Sequence, residues 1–359
     1  MRLATRHAFN SYVSTIALLS AVPSAAEKFT VTPAVAQKIE EKTQASSEFL
    51  SRINFETVFQ QEGEKIGVGI TSPIAGRTDT DQPGREREPI DPTGLTSTTY
   101  RCEQTNFDTK LKYAKLDAWA HRPEFQQIIR DAIIKRQGID RMMIGWHGTH
   151  VAKQTDKVAF PLLQDVNKGW IQNTRDDAPA RIVSDGALTT GATKAIYVAP
   201  GVEVYDDGKD NAGTAKADFV NLDALVFDAL QLLDEQHRRR SDLVVFVSDE
   251  LVFDKKFSLI NAAGDKATEQ LARDVLLLQD KIGGKVAAVV PNFPAGTVVV
   301  TTYDNLSIYN QAETRRRAII DNPKKDQVEN FESVNEAYVV EDYGLIAIVE
   351  NIVMGGKPA

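Results

Sequence analysis

Hydrophobic positions change their period several times along the chain, and each change marks an element. Phe9, Tyr12, Val13, Ile16 and Leu19 recur at steps of three and four, one stripe of an amphipathic helix. A shorter helical pattern, Ile39 to Ile53, lies within the polar stretch 30–61. From Gly63 to Thr71, Ile66, Val68 and Ile70 alternate with Gly67 and Gly69, a period of two that predicts a strand. Residues 72–99 carry Pro73, Gly76, Pro83, Gly84, Pro89, Pro92 and Gly94 with few apolar side chains. So long a stretch without its own core is a functional loop or a linker. Alternation returns from Tyr100 to Tyr113 through Cys102, Phe107 and Leu111. The two flanks are therefore expected to pair as a long hairpin projecting from the body.

Pro123 opens the longest helical pattern: Phe125, Ile128, Ile129, Ala132, Ile133, Ile139, Met142, Met143 and Trp146. Gly138 inside it costs about 1 kcal/mol relative to alanine. A helix striped on one side is a spine for a sheet to pack on. An α/β body follows, with a helix predicted over 222–233 and a buried strand over 243–247. A helix over 269–282 capped by Gly283 and strands over 286–290 and 297–302 come next. Residues 184–216, rich in Gly, Asp, Thr and Ala, read as a surface excursion. Tyr338 to Val353 alternates again, as a terminal strand does when it returns to a sheet begun earlier, so the body is expected to combine discontinuous segments.

The 359 residues suffice for two domains, and 42% hydrophobic residues supply a sizeable core. Lys and Arg number 42 against 50 Asp and Glu, a net charge of −8, which argues against a surface that grips nucleic acid or anionic lipid throughout. Cys102 is the single cysteine, so neither an intrachain disulfide nor a cysteine zinc cage can form. No apolar run reaches the roughly 18 residues that a membrane-spanning helix needs. Arg2, Arg6, the apolar Ile16 to Leu19 and the small residues Ser24, Ala25 and Ala26 imitate a secretory signal, although Asn10, Ser11, Ser14 and Thr15 interrupt it. That likeness carries the alternative reading, an exported periplasmic binding protein or hydrolase.

Catalytic chemistry finds little support. Gly67-Val68-Gly69 lacks the Lys-Ser/Thr of a phosphate loop and the third glycine of a dinucleotide turn. His147 and His150 lack a carboxylate spaced as in a zincin, and Cys102 has no histidine near it in sequence. Asp79 and Asp81 sit in the Pro/Gly loop, where solvated carboxylates are expected. Arg238 to Arg240 and Arg315 to Arg317 read as helix-end or interface charges. The expectation is no catalytic residue, no cofactor and no metal. A sticky N-terminal helix, a long loop and a spine helix describe a chain built to meet copies of itself.

Ordered stretches then carry a resemblance. Asn305 to Tyr309, Arg315 to Ala318 and NPKKDQVENFESVNEAYVVEDY (322–343) resemble the major capsid proteins of Peduovirus-type tailed phages, the phage P-two group. GEKIGVGITSPIAGRTDT (63–80), AIIKRQGIDRMM (132–143), LQDVNKGWIQ (163–172) and APARI (178–182) agree in the same order, as do KFTVTP (28–33) and SSEFLSRIN (46–54). The least family-like stretch is 184–216.

The resemblance implies an α+β chain with the tailed-phage major capsid fold, the Hong Kong ninety-seven type. Its parts would be an N-arm over 1–61, an extended E-loop over 62–118, a peripheral domain with the spine helix over 119–164 and 320–359, and an axial domain over 165–319. It implies an icosahedral head of pentamers and hexamers around double-stranded DNA bound without sequence specificity, and no membrane partner. An internal scaffold-protease and a portal protein would be further partners. The protein would reside in the virion capsid, and in the bacterial host cytoplasm during assembly. Trimming of the N-terminal segment would fall near Phe29 and Thr30. The extended loop would lie over a neighbouring subunit, with Arg77, Arg85, Glu86, Arg87 and Glu88 as contacts. In an extended chain Arg85 and Arg87 share one face and Glu86 and Glu88 the other.

Overall fold

The computed structural model describes residues 1–20, 22–70, 75, 77–78, 93–119, 125–189, 194–199, 217–253 and 281–357. The chain opens with helix α1 (Leu3–Leu19), strand β1 (Phe29–Thr30) and helices α2 (Pro33–Gln44) and α3 (Glu48–Arg52). Strands β2 (Asn54–Val58), β3 (Glu62–Ile70), β4 (Thr93–Arg101), β5 (Glu103–Asn106) and β6 (Thr109–Lys112) follow. Helices α4 (Tyr113–Trp119), α5 (Phe125–His147) and α6 (Trp170–Asp177) lead to β7 (Ile182–Val183), β8 (Ile196–Val198) and helix α7 (Leu222–Ala229). The remainder is β9 (Val244–Val247), β10 (Lys281–Ile282), β11 (Lys285–Val289), β12 (Val298–Thr301) and β13 (Leu306–Gln311). It ends with β14 (Arg316–Asn322), β15 (Gln327–Val340), β16 (Ala347–Val349) and β17 (Ile352–Met354).

Two sheets organise these elements. The first runs β1-β14-β15-β13-β2, with β5 and β6 also on β15. The 14-residue β15 is its axis: Ser333 faces both Arg316 and Asn106, and Glu336 faces both Asn310 and Glu103. The second sheet runs β10-β11-β9-β12-β16-β7. Its central strands β9, β12 and β16 are buried throughout and almost wholly apolar, as strands covered on both faces must be, whereas β10 and β11 at its edge carry Lys281 and Lys285 and are partly exposed. On β9, Val245 and Val247 face α7 through Leu222, Leu225 and Val226, while Val244 and Phe246 face the aromatic cluster of Phe49, Trp146 and Trp170. That cluster joins α3, α5 and α6 to both sheets, so the body has one continuous frame. Because β16 enters the second sheet while β15 anchors the first, the C-terminal segment serves both.

A hairpin is present, but its second strand is not the expected flank: β3 pairs with β4 from Glu62↔Arg101 to Ile70↔Thr93, largely within the stretch read as a loop, while β5 and β6 of the 100–113 flank pair with β15 in the body. The spine helix is α5, and Gly138 lies where the arm crosses it. A Cβ there would sit 2.5 Å from Ser46 Oγ and 3.1 Å from Leu50 Cδ1. Three further local expectations change. The helical pattern Ile39 to Ile53 is two helices, α2 and α3, broken over 45–47. The helix expected over 269–282 lies mostly outside the described residues, but its end does not hold: Lys281–Ile282 is strand β10. Gly283 (φ +59°) and Gly284 (φ +78°) make the tight hairpin turn into β11 rather than a helix cap. Within 184–216, Ile196–Val198 is a buried strand parallel to β17, so the excursion contributes to the core.

Candidate functional site

The N-terminal helix is docked on its own chain. Phe9 of α1 enters a pocket formed with Tyr113, Leu116, Ile319 and Val328, joined by Tyr12, Val13 and Ile16 from the same stripe. The side chain of Leu19 lies outside the described residues. Polar contacts fix both the helix and its orientation. Asp117 accepts a hydrogen bond from the Arg2 backbone N–H at 2.9 Å, placing a carboxylate at the helix N-terminus. Arg6 ion-pairs with Asp321, which also accepts the Tyr113 hydroxyl. Burial alone would raise the Asp321 carboxyl, but the hydrogen bonds from Tyr113 and Arg6 outweigh it and hold it below the usual range. The stripe is thus satisfied intramolecularly, which corrects the expectation of an exposed sticky face. It also removes the basis for a secretory signal, since the segment is part of the fold.

Just beyond α1 the chain becomes an edge strand. Phe29 and Thr30 pair antiparallel with Arg317 and Arg316, and the Val31 N–H donates to the Arg315 carbonyl at 2.9 Å. The Phe29 side chain is buried among Ala17, Ala25 and Val31, whereas Thr30 is exposed. Residues 26–28, before the strand, are exposed.

Under this arm lies a buried ionic cluster. Gln137 and Arg141, one turn apart on α5, occupy the buried stripe between Ile134 and Ile144 and face Glu332 and Glu336 on one side of β15. Gln137 donates to Glu332 at 3.1 Å, and Arg315 donates to the same carboxylate at 2.7 Å. Arg315 Nη2 also reaches Glu40 of α2 at 3.6 Å. Burial would raise the Glu332 carboxyl, yet Arg315 and Arg317 outweigh burial and hold it low. At Glu40 the balance reverses: desolvation exceeds the pull of Arg315 and the carboxyl is raised. The cluster therefore ties arm, spine helix and central strand in one place. The reading of Arg315 to Arg317 as helix-end or interface charges fails at Arg315, which is 3% exposed and ion-paired with Glu332 inside its own chain.

Arg77 is exposed, and Arg85, Glu86, Arg87 and Glu88 lie outside the described residues, as do Asp79 and Asp81. The two histidines do not form a pair: His147 Nε2 donates to the Asn292 carbonyl at 2.8 Å, while His150 Nδ1 contacts Thr149 Oγ1 at 2.9 Å. Cys102 is buried, with its thiol pushed up to about 11 by desolvation, so it stays protonated. Among the described residues no group of three or more His, Cys, Asp or Glu is arranged to hold a metal, and no helix is long and apolar enough to cross a membrane. The polar clusters described above join distant segments of the one chain.

What these surfaces serve is decided by similarity. Residues 8–352 match the family model for the phage major capsid protein, P2 family. The chain belongs to that family of capsid proteins. It is 43% identical to the capsid protein of Escherichia phage P2 over 99% of this chain and 96% of that one. To the major capsid protein of Serratia phage KSP20 it is 36% identical, over 97% and 96%. A solved structure of the satellite phage P4 procapsid, which includes a size determination protein, superposes with a TM-score of 0.77 at 41% identity and 99% coverage of both chains. The capsid of an empty GTA particle shares the fold at a TM-score of 0.50 and 12% identity. The fold is thus the tailed-phage capsid fold of the Hong Kong ninety-seven type, and the capsid protein forms the shell of a virion. The export reading does not survive this match.

Proposed function

We propose that this capsid protein acts without catalysis, closing an icosahedral head from pentamers and hexamers around double-stranded DNA held without sequence specificity. The observation that carries this reading is the β3–β4 hairpin. Nine residues on each strand pair with one another and, among the described residues, with no third strand. An isolated hairpin is marginal in water, so such an element serves best when laid on a second copy. A head closes when each surface meets a different surface of the next copy and rotation completes the ring. The acidic balance suits a container, because basic walls would hold the genome by salt-dependent adhesion.

The N-arm (1–61), E-loop (62–118), peripheral segments (119–164 and 320–359) and axial segment (165–319) are the functional parts in this proposal. An internal scaffold-protease would shape the shell and cut near Phe29 and Thr30, and a portal protein would occupy one vertex. Phe29 is buried, so cutting requires the arm to peel from Arg316 and Arg317 first. Arg77, Arg85, Glu86, Arg87 and Glu88 would touch the neighbouring copy. Co-production of the full chain with its scaffold-protease, followed by electron microscopy and N-terminal sequencing, tests this. Closed shells of chains beginning near Thr30 are expected; monomers with an intact N-terminus would overturn the reading.

A further inference from the structure

The hairpin meets the body at its base through a closed circuit of four residues. Lys65 of β3 ion-pairs with the Glu341 carboxylate and donates to the carbonyl oxygens of Glu341 and, at 3.4 Å, Val340. All three donors of the ammonium are therefore engaged. The Tyr309 hydroxyl donates to the same Glu341 carboxylate at 2.9 Å. Burial and then the Glu341 charge push that phenol up, so it keeps its proton and continues to donate. The Tyr309 ring meets Tyr100 of β4 edge-on, with centroids 5.0 Å apart. Tyr100 lies directly across from Gly63 on β3, and a Cβ at Gly63 would fall 2.6–2.9 Å from the Tyr100 side chain. Glycine at 63 therefore lets the ring lie where it can reach Tyr309. One strand is tied by charge and the other by a ring contact.

Beside these ties is a cleft of about 290 Å³ between hairpin and body, walled by Thr98 and Arg101 on one side and Lys168, Asp176 and Tyr343 on the other. The space allows the hairpin to tilt toward the body when the charge tie is released. Nine residues of strand extend roughly 30 Å, so a base rotation of about 10° displaces the far end by about 5 Å. That distance separates a strand in register with a neighbouring surface from one that misses it.

We propose that Lys65 is the positioning residue of the hairpin: by holding its base against the end of β15 it sets the angle at which the hairpin leaves the body, with Tyr100 on Tyr309 as the pivot. The proposal rests on the hairpin being an assembly element, so its test begins on the unassembled full chain, where assembly plays no part. Lys65→Met keeps the apolar stem and removes the charge, and Lys65→Arg restores donors. Hydrogen exchange of the amides over 62–66 and 98–101 should rise about tenfold in Lys65→Met with the unfolding midpoint nearly unchanged, and return toward the original rate in Lys65→Arg. Shells made from Lys65→Met should show a broader spread of diameters in the microscope than those of the unsubstituted chain. Unchanged exchange at the hairpin base overturns the positioning role, even if no chain assembles. Faster exchange with an unaltered spread of diameters overturns its link to shell geometry.

Discussion

Arg141 directs two donors at one oxygen of Glu336, Nε at 2.8 Å and Nη2 at 2.5 Å, and both side chains are sealed from solvent. The guanidinium also lies over the Phe107 ring, 4.5 Å from its centroid. Removing one member strands the other as a buried charge, which costs about 3–5 kcal/mol. Arg141→Met and Glu336→Gln should each lower the stability of the unassembled chain on that scale. The double variant Arg141→Met with Glu336→Leu should lose less than either single change, because neither partner is left as an unpaired buried charge. Denaturant midpoints of the three chains check this.

Docking of α1 should depend on Phe9. Phenylalanine to alanine in a core costs about 3–5 kcal/mol, and here the loss stays near the low end because the helix can detach without unfolding the sheets. Phe9→Ala should therefore speed amide exchange in α1 and in 113–119 more than in β9 or β12. Equal acceleration everywhere would mean that α1 belongs to the global core.

Acid should release the same helix. The Asp321 carboxyl is held below its usual range, so its contribution is present above the ordinary carboxylate value near 4 and is lost as pH falls through the depressed value. Protection of the α1 amides should drop over that acid range in the parent chain. In Asp321→Asn it should be weak at neutral pH and nearly flat over the same range. Amide exchange measured from neutral pH into acid reads both.

Glu40 has the opposite sign. Its raised carboxyl means that folding favours the protonated form, a stabilisation present at low pH and lost as pH rises through the raised value. Glu40→Gln should leave the neutral-pH unfolding midpoint unchanged or higher. A clear drop would show that the contact with Arg315 outweighs the cost of burying the charge.

Gly145 should resist substitution although it lies inside a helix. A Cβ there would sit 2.3 Å from the Trp170 ring, which is fully buried and also contacts Trp146 at 4.9 Å. Alanine gains about 1 kcal/mol of helix propensity, but overpacking a rigid indole costs about 1–3 kcal/mol. The net expectation for Gly145→Ala is a lower melting temperature.

Much of this frame was legible in the chain because it follows local periods. The α5 stripe and the apolar run of β9 each record a face that must be buried, and the alternation over 63–71 records strand β3, although not its partner β4. What escaped lies where tertiary contact overrides pattern. Gln137 and Arg141 sit within an apolar stripe, and the carboxylates they need are almost 200 residues away on β15. Polar residues at stripe positions were the available signal, without their partners. Lys65 looked like any strand lysine because Glu341 is 276 positions distant. Gly283 looked like a helix cap because glycine at positive φ serves helix ends and hairpins alike. The α1 stripe was visible, but the period of a helix does not say whose surface covers it.

The central claim is that the β3–β4 hairpin of this capsid protein completes a neighbouring copy rather than its own body. Electron cryomicroscopy of shells assembled from the full chain tests it most directly. The account predicts β3 and β4 lying against a second copy, with Lys65 still on Glu341 at the base. A shell in which that hairpin touches only its own chain would contradict it.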